Sequence, residues 1–164
     1  MRYVEAPADY LHDSSPSIFL AGGISGCPPW QWRVARMLAG TDLVVINPRR
    51  VQWPQDPAEA EEQIRWEFRH LRRATARLFW FPAETLCPIA LYELGGATAW
   101  DAPLFVGVDP KYARRFDVEV QTKLARPDVR VVYSLEDLAA QVIAWAATWR
   151  NVAVLSRTVE EVRP

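Results

Sequence analysis

From Thr85 to Trp100 the chain runs for sixteen residues with a single formal charge, the carboxylate of Glu93. Taking an ionised carboxylate out of water costs several kcal/mol, roughly, unless charge or hydrogen bonds compensate. A chain that keeps one in such a stretch either uses it or holds it with an arginine. A second carboxylate, Glu67, lies in Gln63-Ile64-Arg65-Trp66-Glu67-Phe68-Arg69-His70-Leu71. There Ile64, Phe68 and Leu71, at i, i+4 and i+7, define an expected core-facing stripe with Glu67 on its edge. A salt bridge to Arg65 or Arg72 is the plain alternative. Two carboxylates converging on one crevice are equipped to break a glycosidic bond, one attacking the anomeric carbon and the other handling the proton of the leaving group. Glu93, near a helix N-terminus and hydroxyl groups, is expected to stay ionised as the nucleophile. Glu67, beside Trp66 and Phe68, is expected to be the proton donor, the two environments setting their pKa values apart.

Two loops are candidates for holding a ligand against that pair. Ala21-Gly22-Gly23-Ile24-Ser25-Gly26-Cys27-Pro28-Pro29 joins an apolar run to a helix. The backbone amides of such a turn can cradle a phosphate or a sugar hydroxyl, although a plain tight turn explains the glycines equally well. Its spacing matches neither GxGxxG nor a GK[ST] phosphate loop. Asn47-Pro48-Arg49-Arg50 brings two guanidinium groups, which match carboxylate and phosphate in a bidentate way or remain solvated surface charges.

The elements that must position these residues are legible as apolar runs. Ser17–Ala21, Asp42–Ile46, Leu78–Phe81, Leu104–Val108 and Val129–Tyr133 read as strands. Helices are expected from about Pro29 to Leu38, Pro57 to Ala74, Ile89 to Trp100 and Leu135 to about Arg150, with a short one in the polar stretch after Val108. On the third of these Glu93 shares a face with Ile89, Gly96, Ala97 and Trp100, and both faces read as buried. Ser134 and Asp137 form a capping box for the last helix. Strands that are apolar throughout suit a parallel sheet covered on both faces. The fold class is therefore α/β, a flavodoxin-like doubly wound five-stranded parallel sheet. In such sheets ligands bind at the carboxyl ends of the strands, where connections diverge to opposite faces.

Composition bounds the rest. At 164 residues the chain suits one domain, taken as 1–151 with 152–164 as a loose tail. A formal net charge of −1 supplies no global field toward nucleic acid polymers or anionic membranes. No segment approaches the roughly 18 uninterrupted apolar residues of a membrane span, and the N-terminus lacks the apolar core of a secretory signal. Two cysteines, Cys27 and Cys87, are too few for a disulfide scaffold and point to a cytoplasmic setting. No metal or cofactor is expected.

Phe19-Leu20-Ala21-Gly22-Gly23-Ile24-Ser25-Gly26, Asn47-Pro48-Arg49-Arg50, Leu78-Phe79-Trp80-Phe81-Pro82 and above all Tyr92-Glu93-Leu94-Gly95 resemble the nucleoside 2-deoxyribosyltransferase superfamily, in its "like" branch, over roughly Ser17 to Trp145. The resemblance implies that Glu93 forms a covalent glycosyl ester and that Glu67 assists the departing base. It implies a (deoxy)nucleoside or nucleotide substrate, transferred to a second base or hydrolysed, and a homodimer or larger assembly sharing residues between subunits. Substrate contacts are expected at Gly22, Gly23, Ser25, Asn47, Arg49, Trp66 and Cys87, the amides of Gly22, Gly23 and Ser25 together with Arg49 being the candidates to accept a 5′-phosphate, which would favour a nucleotide hydrolase. Asp117 is the candidate for the residue lent by a neighbour. Six residues before their nucleophile members carry an orienting aspartate; this chain has Cys87. Where they enter the third strand through Ala-Asp, it has Ala74-Thr75. A nucleotide or ADP-ribose binding module that has lost catalysis is the alternative. A flavodoxin-like redox protein using Cys27 lacks a CxxC motif to support it.

Overall fold

The computed structural model describes residues 1–52 and 54–161, with side chains as far as 149. Five strands form one all-parallel sheet in the order β1-β3-β2-β4-β5: β1 (Arg2–Glu5), β2 (Ser17–Gly22), β3 (Val44–Asn47), β4 (Ala76–Phe81) and β5 (Leu104–Val108). The helices are α1 (Trp30–Met37), α2 (Pro57–Arg73), α3 (Pro88–Ala97), α4 (Arg115–Ala125) and α5 (Leu135–Glu161). The architecture is α/β and flavodoxin-like, as expected.

Successive residues of a strand point to opposite faces, and here both faces are covered. Phe19, Ala21, Ile46, Phe79, Phe81 and Val106 pack with Trp66, Leu71, Ala90 and Leu94 of α2 and α3. Ile18, Leu20, Val45, Leu78, Trp80 and Phe105 pack with Trp30, Val34, Leu138 and Val142 of α1 and α5. This double burial is why the strands read as unbroken apolar runs. The chain leaves β2 through α1 to reach β3 on one side, then returns through α2 to β4 on the other side of β2. The connections diverge there, and the loops after β2 and β4 flank the resulting crevice.

Two strand assignments change. The fifth strand is the N-terminal β1, paired in parallel with β3 from Arg2↔Val44 to Glu5↔Asn47. Its charged ends hid it, although an edge strand tolerates and even favours them. The segment 129–133, expected as a strand, makes one bridge, Gly107↔Val132. It is confined between the turn at Pro127-Asp128 and the Ser134 cap, so only Val132 exchanges backbone bonds with Val106 and Val108, at 3.0 and 2.9 Å. The expected polar-stretch helix is α4.

Local signals explain the helices that carry the carboxylates. Asp56 caps α2, accepting from Glu59 N at 2.9 Å, and Pro57 occupies its first position. In α3 the buried stripe is Ala90, Leu94 and Ala97. Its outer face is open rather than buried as expected: Ile89 and Tyr92 are exposed, and a Cβ on Gly95 or Gly96 would meet nothing within 4 Å. Ser134 caps α5 as anticipated, accepting from Asp137 N at 3.0 Å, but Asp137 Oδ2 accepts from the Ser134 hydroxyl at 2.7 Å rather than from the backbone N–H that a capping box uses. The tail expected from 152 lies outside the residues whose side chains are described. No helix among the described residues is long and apolar enough to cross a membrane.

Candidate functional site

A cavity of about 760 Å³ opens between α2 and α3 above the sheet and extends from the loop after β2 to Trp100. Its walls are chiefly apolar, from Phe19, Ile64, Phe68, Leu71, Ile89 and Trp100, and both Glu67 and Glu93 line it. The structure thus brings together the two carboxylates singled out in the sequence.

Glu67 is placed by α2 differently from the expected register. The buried residues of that helix are Gln63, Trp66, His70 and Leu71, while Ile64 and Phe68 are exposed on the cavity wall. The stripe expected to be core is therefore largely cavity lining. Glu67 lies between the two faces, one turn after Gln63. Gln63 Nε2 donates to Pro48 O at 2.9 Å and to Glu67 Oε1 at 2.7 Å, which ties the carboxylate to the loop after β3. No arginine holds Glu67 among the described residues. Burial raises its pKa, and the Gln63 amide partly offsets that by favouring the ionised form.

Glu93, in the middle of α3, has no hydrogen-bond or ion-pair partner among the described residues. Burial first, and then the charge of Glu67, push its pKa up to about 7. The expected helix N-terminus and hydroxyl groups do not lower it, because Glu93 sits at the sixth position of the helix, beyond the first turn where the dipole acts. Glu93 is thus the carboxyl held furthest above its ordinary value, the reverse of the expected order.

Cys87 precedes α3 as its N-cap, in the left-handed conformation at φ 47 and ψ 52, without a side-chain cap bond. Its Sγ donates to Thr85 O at 3.3 Å, and burial pushes the thiol up to about 12. It lines the cavity as a neutral group and makes no hydrogen bond to Glu93.

The glycine loop reaches the cavity through Gly22, Gly23, Ile24 and Ser25. Gly22 is required by close packing: at φ 142 a Cβ would stand 2.1 Å from Trp80 O. The Gly23 amide is already spent on Trp80 O at 3.2 Å, so it does not face a ligand as expected. Its carbonyl accepts from Trp30 Nε1 at 2.7 Å and from the fully buried Gln31 Nε2 at 3.0 Å. Ser25 is exposed at the mouth.

Four expected substrate contacts are not at the cavity. Asn47 is buried and braces the end of β3, donating to Tyr3 Oη at 2.7 Å and accepting from Arg49 N at 3.0 Å. Arg49 turns to loop carbonyls, donating to Pro28 O at 3.1 Å and Cys27 O at 3.0 Å. A guanidinium satisfies orphan carbonyls as readily as an anion, and here it locks the glycine loop from behind. Trp66 points into the core with Nε1 on Ala8 O at 3.0 Å. Asp117 is on α4, paired with Arg114 at 3.1 Å.

Gln63, beside Glu67, and Gln31, behind the glycine loop, were not anticipated, and Arg72, which the sequence offers only as an ion-pair partner for Glu67, lines the cavity without a carboxylate partner among the described residues. For Gln63 the i, i+4 spacing to Glu67 was a usable signal; nothing local marked Gln31. Among the described residues no group of three or more His, Cys, Asp or Glu side chains could hold a metal ion.

No curated protein matches the chain at a significant level. The family model described as nucleoside 2-deoxyribosyltransferase like does match, over residues 15–112, a span that contains the glycine loop, Glu67, Cys87 and Glu93. The chain belongs to the nucleoside 2-deoxyribosyltransferase-like family.

Proposed function

We propose that the protein cleaves or transfers the N-glycosidic bond of (deoxy)nucleosides or nucleotides through a glycosyl ester on Glu93, with Glu67 as general acid and base. The observation that carries this reading is the pair itself: two carboxylates free of basic partners among the described residues, on facing helices, in one largely apolar cavity. Family membership supports a small-molecule nucleoside substrate.

The chemistry asks for one proton on the pair. Burial and the charge of Glu67 favour that proton on Glu93, while the Gln63 amide favours ionised Glu67. Shifting the proton from Glu93 to Glu67 generates the nucleophile and the acid together. Glu93 then attacks C1′, the C1′–N bond breaks, and Glu67 gives its proton to a ring nitrogen of the leaving base. A second base or a water attacks C1′ of the ester, delivers a proton to Glu67 and frees Glu93. The first acceptor makes the enzyme a transferase and the second a hydrolase. Ile64, Phe68, Ile89 and Tyr92, exposed about the cavity, favour a homodimer or larger assembly that covers them, in which Asp117 would be offered to a neighbour.

Incubation with a panel of deoxynucleosides and their monophosphates, with and without a second base, tests this. Release or exchange of base, lost in Glu93→Ala, is the expected result. The second reading, a binding module without catalysis, is favoured by Cys87, a neutral thiol turned to Thr85 O where an orienting carboxylate is expected. Nucleotide binding with no base release over hours would select it.

A further inference from the structure

The cavity has a second polar end that the glycosidic chemistry does not use. Arg72, in the last turn of α2, lines the wall opposite the glycine loop with Phe68 and Trp100. Its guanidinium stands 5.1 Å from the Phe68 ring centroid and 5.2 Å from that of Trp100. Contact with two rings restricts a long, rotamer-rich side chain and leaves its N–H groups free, since a cation over an aromatic face forms no hydrogen bond. Arg65 and Arg69, on the same helix, are engaged by Glu61 and Asp9 at 2.6 and 3.8 Å. Arg72 pairs with no carboxylate among the described residues, Glu67 and Glu93 included.

A second cation reinforces the same spot. Arg77, buried on β4, lies 4.9 Å from the Trp100 ring centroid. Its Nε donates to the carbonyl of Leu71 at 2.7 Å and its Nη2 to that of Arg72, which fixes its positive charge beside Trp100. The two guanidinium groups feel each other: burial and then Arg72 lower Arg77 to about 10. One end of the cavity therefore carries acid and the other carries uncompensated positive charge. An anionic substrate can approach the carboxylates only if its own charge is placed at the positive end.

The geometry points to Arg72 as an oxyanion subsite of the cavity, one that selects phosphate-bearing substrates, nucleoside monophosphates, over uncharged nucleosides. It rests on the nucleoside reading above and assigns the anion to Arg72 rather than to Arg49, whose guanidinium is committed to Cys27 and Pro28. Glu67 and Glu93 remain the groups that touch the reacting bond.

Calorimetric titration of the full chain tests it, using the four common 2′-deoxynucleosides, their 5′-monophosphates and inorganic phosphate. Arg72→Ala and Arg72→Gln are compared with Arg73→Ala, a neighbour that does not line the cavity. The monophosphates are expected to bind about tenfold or more tightly than the nucleosides, an advantage erased in both Arg72 variants, kept in Arg73→Ala and weakened by salt. Equal affinity for the two series, binding of neither, or an advantage that survives Arg72→Ala would overturn the subsite. Tight binding of inorganic phosphate alone, lost in the Arg72 variants, keeps the oxyanion site but overturns its selection of monophosphates. Base release measured in parallel separates the two ideas. Turnover without phosphate preference sinks the subsite and leaves the glycosidic reading standing. A preference that depends on Arg72 without any base release does the opposite.

Discussion

Gln63 Nε2 donates to Glu67 Oε1 at 2.7 Å, while Glu93, across the same cavity, receives no hydrogen bond among the described residues. This asymmetry divides the pair. Glu67 is clamped to the loop after β3 through Gln63 and Pro48. Glu93 is desolvated and repelled by its partner, with nothing to favour its charge.

That unfavourable charge has a stability consequence. The folded pKa of Glu93 is raised from 4.5 to about 7. A raised folded value contributes stability below the unfolded pKa, and that contribution is lost as pH climbs from about 4.5 through 7. Glu93→Gln, which cannot ionise, is expected to be more stable than the natural protein at pH 8 by about 1–3 kcal/mol, and close to equal at pH 4.5. Urea unfolding at the two pH values checks it; a difference independent of pH counts against a desolvated, unpaired Glu93.

In the proposed mechanism the same pair would set the pH dependence of activity. That mechanism needs one proton on the two carboxyls, and burial with the charge of Glu67 raises Glu93 to about 7. The value of kcat/KM is therefore expected to fall as pH rises through about 7. It should also fall on the acid side at a point above 4.5, because Glu67 too is raised. A profile flat from pH 5 to 9 would contradict the shared proton.

Gln63→Leu removes the donor that favours ionised Glu67. The Glu67 pKa should rise further, moving the acid limb of the profile upward, and Pro48 O loses its partner at a cost of about 1–2 kcal/mol. Thermal unfolding and the pH profile together read both effects. An unmoved acid limb would mean that Glu67 does not govern it.

Cys87→Asp restores a carboxylate at the start of α3. Aspartate tolerates the left-handed conformation seen at φ 47 and can cap the helix, a gain of about 1 kcal/mol. It also adds negative charge near Glu93, so the alkaline limb should move above pH 7. A loss of more than about 2 kcal/mol in unfolding experiments would show that burying the new charge outweighs the cap.

How far the sequence could be read depends on what each residue is buried against. Ser17–Ala21 and Leu78–Phe81 announce themselves because both of their faces are covered. β1 escapes notice because an edge strand needs no apolar run. On α2 the hydrophobic period cannot tell a core from an apolar cavity wall. Ile64 and Phe68 are exposed there, while Gln63 and His70 are buried because Pro48 O and Asp9 satisfy them. Glu93 was legible because a lone charge in an apolar stretch stands out in any fold. Arg49 and Arg72 were not separable by local sequence. Which guanidinium meets carbonyls and which faces the cavity depends on loops distant in the chain.

In the proposed mechanism Glu93 bonds to the sugar. Intact-protein and peptide mass spectrometry after incubation with 2′-fluoro-2′-deoxynucleosides and their 5′-monophosphates tests it most directly, since the fluorine slows breakdown of a glycosyl ester. One added fluorosugar mass is expected per chain, located on Glu93 and absent from Glu93→Gln. An adduct on Glu67 or another residue, or base release that persists in Glu93→Gln with no adduct at all, would contradict it.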